Sequence, residues 1–244
     1  MKKLILAISV SILYAALLSA AIEPKVKETK RESDDSTAEK FILIDKQLWM
    51  TKNLSVDNFR NGDPIPQAKT SEEWEKAYKN QQPAWCYFNN DTINGKKYGK
   101  MYNWFAVNDP RGLAPYGWHV PSNEEWLVLA GFLGGQVIAG QKMKADQGWG
   151  NLGKGTTNCG FSGLSGGFRW RNASFVSKEK ASGWWSSTPE SRTNNISDTL
   201  AWGYTLIDNS NKLGRGLFLK SCGLYVRCLN DDLLEEDMPM LAPE

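Results

Sequence analysis

The sequence predicts an α+β fold. Two stretches before residue 135 carry complete helix signals, each with a capping start and an apolar face. From Cys159 onward the pattern changes to short runs of strand period, divided by turn residues. The 22 glycines are scattered through the chain, which fits many tight turns and many short strands. No fixed repeat period is present.

Taken in order, residues 1–20 read as a signal peptide. Lys2 and Lys3 precede the apolar run Leu4–Leu18, and Ser19-Ala20-Ala21 supplies small residues for cleavage. An uncleaved anchor helix is the alternative, and the small-residue end argues against it. No cysteine follows the run where a lipoprotein would need one. The expectation is a protein exported to the periplasm, the cell surface or the medium, not a lipoprotein, with no membrane span once the signal is removed. Residues 21–40 are charged and lack apolar periodicity, as a flexible linker does.

The body, residues 41–231, opens with Phe41–Ile44, which turns through Asp45-Lys46-Gln47 into Leu48–Met50, a hairpin. Asn61-Gly62-Asp63-Pro64 is a turn. Thr70 and Glu73 form a capping box for a helix to about Lys79, and Pro83 prevents its continuation. Trp85–Phe88 reads as a strand. Asn94-Gly95 is the strongest local turn signal. Met101–Val107 is strand or short helix.

The most legible stretch is Arg111–Leu133. Gly117–Val120 is a short strand, Pro121 ends it, and Ser122 with Glu125 forms a second capping box. Trp126, Leu129, Ala130 and Leu133 share one helical face, and Gly134-Gly135 stops the helix. Val137–Ala145 is a further helical segment and Gln147–Gly155 a loop. Strands follow at Phe161–Leu164, Gly166–Trp170, Phe175–Ser177, Gly183–Thr188, Leu200–Asp208, Leu213–Leu219 and Gly223–Leu229. Residues 232–244 form an acidic tail.

Charge and composition exclude some functions. The formal net charge is +2, and no basic run marks a nucleic-acid groove. No glycine-rich phosphate loop leads into a helix, so no nucleotide cofactor is expected. His119 is the single histidine. It would have to be the base of any Ser-His or Cys-His hydrolase, and its place in an apolar strand points to a scaffold role. Zinc spacing is absent. Asn89-Asn90-Asp91-Thr92 with Asn94 offers oxygen ligands but not the calcium-loop spacing. No catalytic residue, metal or cofactor is expected.

Four cysteines, Cys86, Cys159, Cys222 and Cys228, allow three full pairings. Cys159 with Cys222 is the expected disulfide, because both flank strands that should be neighbours. The candidate ligand-binding residues are Trp149, Trp170 and Trp184 (with Trp185 beside it), whose rings could stack on sugars, and Arg169, Glu190 and Arg192 as polar company.

WMTKNL, NGDPIP, WCYFNND, GKMYNWFAV, GWHVPSNEEW, GFSGLSGGFRW, GWWSST and GLYVRCLND occur in this order. The series resembles the Fibrobacter succinogenes major paralogous domain, a family found on exported and surface proteins, for which no biochemical activity is generally established. GWHVPSNEEW and GLYVRC also resemble the formylglycine-generating, sulfatase-modifying fold. That resemblance implies a C-type-lectin-like architecture, with two main helices on short, twisted, mostly antiparallel strands and long loops. In the enzymes of that fold a copper-binding cysteine pair lies near the C-terminus. Cys222 and Cys228 sit in that neighbourhood with a different spacing. Ala114 stands where family members usually carry a cysteine. If that residue normally pairs with the counterpart of Cys228, the crosslink here is lost or rearranged. The implied function is a non-catalytic lectin-like module that binds a glycan or a protein at the bacterial surface. The alternatives are a copper-thiolate oxidoreductase and a purely structural surface protein.

Overall fold

The computed structural model describes residues 41–150, 155–156, 159–191 and 199–232. The signal peptide, the linker and all of the acidic tail but Asp232 lie outside them. Along the described chain the elements are β1 (Phe41–Ile44), β2 (Gln47–Met50), α1 (Ser71–Lys79), β3 (Trp85–Cys86), α2 (Thr92–Tyr98), β4 (Met101–Tyr102), α3 (Trp104–Val107) and β5 (Trp118–His119). Then come α4 (Asn123–Phe132), α5 (Gln136–Met143), β6 (Gly166–Arg169), β7 (Phe175–Lys178), β8 (Ala181–Pro189), β9 (Leu200–Ile207), β10 (Gly214–Leu219) and β11 (Leu229–Asn230). The fold class is α+β.

The beginning and end of the body share a sheet. Its order is β1-β2-β11-β5, all antiparallel, and Leu229 lies opposite both Trp49 and His119. The β1–β2 turn places Asp45 at φ 56°, a conformation aspartate tolerates. A five-stranded sheet follows the order β10-β9-β8-β6-β7, antiparallel except for a single parallel bridge between Gly167 and Ser182. β3 and β4 pair separately.

Both predicted capping boxes form. Thr70 Oγ1 accepts from Glu73 N at 3.1 Å while Glu73 Oε2 accepts from Thr70 N at 3.2 Å. Ser122 Oγ accepts from Glu125 N at 3.2 Å while Glu125 Oε2 accepts from Ser122 N at 2.7 Å. Gly134 and Gly135, at φ 96° and 94°, close α4 by donating to Gly131 O and Ala130 O.

The core has two clusters, and β8 feeds both. Successive side chains on a strand point to opposite faces. Trp184 therefore joins Trp49, Trp126, Phe161 and Tyr204, whereas Trp185 joins Tyr102, Trp104, Leu224 and Val226. Trp126 stacks on Tyr204 with centroids 4.8 Å apart. Several indole N–H groups are partnered, Trp185 to Tyr102 O and Trp74 to Ser221 O, each at 2.8 Å, whereas the buried Trp126 N–H has no hydrogen-bond partner among the described residues.

Some expectations need correction. Asn94-Gly95 lies inside α2, which Asp91 caps by accepting from Ile93 N at 2.8 Å. Gly95 is needed for space: a Cβ there would stand 2.4 Å from the Tyr87 ring. Met101–Val107 splits into β4 and α3, with Asn103 capping the helix. Phe161–Leu164 is irregular chain with one bridge, Gly163 to Lys144. Gly223–Leu229 is a series of single bridges that shortens to β11, because its backbone bonds go to several elements in turn. The Cys159–Cys222 disulfide is absent. No disulfide joins any of the four cysteines, and all four are buried, with Cys86 and Cys159 in the first cluster and Cys222 and Cys228 in the second. Cys159 Sγ instead donates to Lys142 O at 3.1 Å. Among the described residues no helix is long and apolar enough to cross a membrane.

Candidate functional site

The predicted ligand-binding residues do not form one surface. Trp184 is fully buried and donates to Asn53 Oδ1 at 2.8 Å. Arg169 is fully buried too. Its guanidinium donates to Ala173 O at 3.0 Å, Thr70 O at 2.9 Å and Ala68 O at 3.4 Å, and it lies over the Trp74 and Phe175 rings. Both are scaffold, and neither can touch a ligand. Trp149 is half-buried, with its N–H on Gly163 O at 3.0 Å. Trp170 is 38% exposed and packs beside Phe168. Glu190 is half-buried at the end of β8, its N–H on Leu200 O. Arg192 lies outside the described residues.

A better-formed site lies at the start of α4. Asn123, the first helical residue, is buried and every polar group on it is used. Its N–H donates to Thr188 Oγ1 at 2.9 Å. Its Oδ1 accepts from Tyr204 Oη at 3.0 Å and from Arg215 Nε at 2.7 Å, and its Nδ2 donates to Glu124 Oε1 at 3.1 Å. Burial pushes the Tyr204 hydroxyl up to about 12, so it stays a donor. Sheet register brings Arg215 here. On β10 it lies opposite Tyr204 and diagonal to Trp202, the type of pair that interacts across strands. The exposed guanidinium sits 3.7 Å from the centre of the half-buried Trp202 ring. Nε is taken by Asn123 Oδ1, the Tyr204 hydroxyl lies beside the same guanidinium, and the Arg215 side chain is exposed.

On the other side of the same helix start, His119 joins two carboxylates. Nε2 is 2.9 Å from Glu125 Oε1 and Nδ1 is 2.6 Å from Asp231 Oδ1. A neutral imidazole has one N–H and can donate to only one of them, whereas the imidazolium serves both. The hydrogen bond to Glu125, then that to Asp231, raises His119 above its ordinary value. Burial would raise the Glu125 carboxyl, but the bonds from His119 and Ser122 outweigh it and hold it down to about 2. His119 thus ties β5 to α4 and to the residue after β11.

Segments far apart in the chain meet at these contacts. His119, Asn123 and Glu125 lie in GWHVPSNEEW, Thr188 ends GWWSST and Asp231 ends GLYVRCLND. Asn53 of WMTKNL accepts from both Trp184 and Arg227 through Oδ1, the latter at 2.7 Å. The family model of the Fibrobacter succinogenes major domain matches residues 42–230. The chain belongs to this family. No curated protein and no solved structure matches it.

In this member of the Fibrobacter succinogenes major domain family, the recognisable segments are chiefly the scaffold around which the body closes. Trp202 and Arg215 lie outside all of them. Sequence reasoning placed Trp202 in a strand but did not single out Arg215, because no local pattern marks a partner 92 residues away. Burial disfavours the thiolate at three of the cysteines, Cys86, Cys159 and Cys222. Burial pushes Cys222 up to about 12 and Cys86 up to about 11, and the thiolate is the metal-binding form. Among the described residues, no cluster of three or more His, Cys, Asp or Glu could hold a metal. In the Asn-rich loop Asp91 caps α2 and Asn90 and Asn94 donate to Lys69 O and Phe88 O, while the buried Asn90 Oδ1 has no hydrogen-bond partner among the described residues.

Proposed function

We propose that the chain is an exported, non-catalytic, lectin-like module that binds glycan at the bacterial surface through the exposed β9–β10 edge. The observation that carries this is the Arg215–Trp202 stack on Asn123. An aromatic face, a guanidinium edge and buried polar supports converge there on rigid strands. Sugars are recognised by such combinations, with apolar ring faces against aromatics and hydroxyls against fixed polar groups. The C-type-lectin-like arrangement is part of the same reading. It is supported by the pairing of the first hairpin with the last strand, by the capped helices and by the short, mostly antiparallel strands. The amino-terminal apolar run after Lys2 and Lys3 supports export. The burial of Cys222 and Cys228, and the raised pKa of Cys222, weigh against copper-thiolate chemistry.

A glycan array probed with the mature protein and with Trp202→Ala tests the reading. Binding to at least one glycan class is expected, and the variant should lose it while its melting temperature changes little. An array without hits, or hits that Trp202→Ala keeps, would overturn the reading.

A further inference from the structure

We infer that the Arg215–Trp202 corner takes a carboxylate-bearing sugar, such as a uronic acid unit of an acidic glycan; this rests on the glycan-binding reading above. Nε of Arg215 is fixed by Asn123 Oδ1 at 2.7 Å, and one guanidinium face is covered by Trp202 at 3.7 Å. With Nε taken and one face covered, the Nη groups of this exposed side chain are the donors left for a ligand. They match the two oxygens of a planar carboxylate, the pairing for which arginine is suited above lysine. The side chain is held before a ligand arrives, which lowers the ordering cost of binding.

The surroundings limit the charge a ligand may carry. Glu124 shares the Asn123 amide with Arg215 yet forms no ion pair with it among the described residues. The exposed Glu124 carboxylate would therefore repel a second negative group placed on its side. A single carboxylate on a ring that extends away along β10, past half-buried Leu217 and Leu219, suits this corner best.

The test uses the mature protein and one oligosaccharide backbone in two forms, oligogalacturonide with free carboxylates and the same material fully methyl-esterified. Titration calorimetry should show binding of the free acid, weakening as salt is raised. Esterification, or Arg215→Gln, should weaken it about ten- to hundredfold, the usual effect of losing a charged hydrogen bond. Arg215→Lys should recover only part of the affinity. Glu124→Gln, which keeps an oxygen for Asn123, should tighten binding. Because Glu124 is exposed, this variant reads the site even if an Arg215 variant proves unstable. Equal binding of acid and ester, or an unchanged Arg215→Gln, would overturn this inference and leave the glycan reading standing. Failure to bind any saccharide, acidic or neutral, would overturn both.

Discussion

His119 shows how one side chain can give a surface clamp a defined pH window. Its folded value is raised from 6.5, so its contribution is complete below 6.5 and is lost as pH rises through the folded value. Glu125 works in the opposite sense. Its value falls from 4.5 to about 2, so its contribution is complete above 4.5 and is lost as pH falls through about 2. The clamp is therefore strongest between these limits. About a third of the His119 side chain is exposed, so solvent screening limits the clamp to about 0.5–1 kcal/mol. Thermal melts should show stability falling as pH rises above 6.5, and His119→Gln should flatten that fall. Arg169 is a contrasting case, since it is fully buried and donates to three backbone carbonyls, those of Ala68, Thr70 and Ala173. Arg169→Ala leaves several acceptors unmet and should cost on the order of 3 kcal/mol in urea unfolding.

At the scale of elements, glycine means different things in two helices. Gly95 in α2 faces the Tyr87 ring, where a Cβ would come within 2.4 Å. Gly95→Ala should destabilise by about 1–3 kcal/mol despite better helix propensity, because overpacking outweighs the gain. Gly131 in α4 is exposed and has open space around it. Gly131→Ala should stabilise by about 0.5–1 kcal/mol, the usual gain in an exposed helix interior. Chemical denaturation of both variants checks the opposite signs. The caps of α1 and α4 were legible because Thr70 and Glu73, or Ser122 and Glu125, lie three residues apart. The Tyr87–Gly95 contact was not, and Asn94-Gly95 read as a turn because its local preference was the visible signal.

For the molecule as a whole, stability depends on joining the two ends of the body. Leu229 sits between Trp49 and His119, and Met50 N donates to Cys228 O at 3.1 Å. Truncation after Cys228 should abolish cooperative unfolding, whereas truncation after Asp232 should leave the melt nearly unchanged. Circular dichroism on the two truncated proteins distinguishes these outcomes. With four buried cysteines and no disulfide between them, the mature protein should show no native disulfide by mass. The thiols should react with a thiol reagent slowly when folded and fully in denaturant.

The sequence by itself determined the α+β class, the capped helices, the first hairpin and the family, since these rest on neighbouring residues and on an ordered series of segments. The tertiary structure alone decided which polar and aromatic residues are buried and which are presented. Arg169 and Trp184 looked like ligand contacts until carbonyls and amides from distant segments surrounded them. Arg215 gained its place only when register set it opposite Tyr204 and within reach of Asn123. The physical reason is that capping and periodicity are short-range, whereas burial and side-chain partnership are settled by contacts spanning most of the chain.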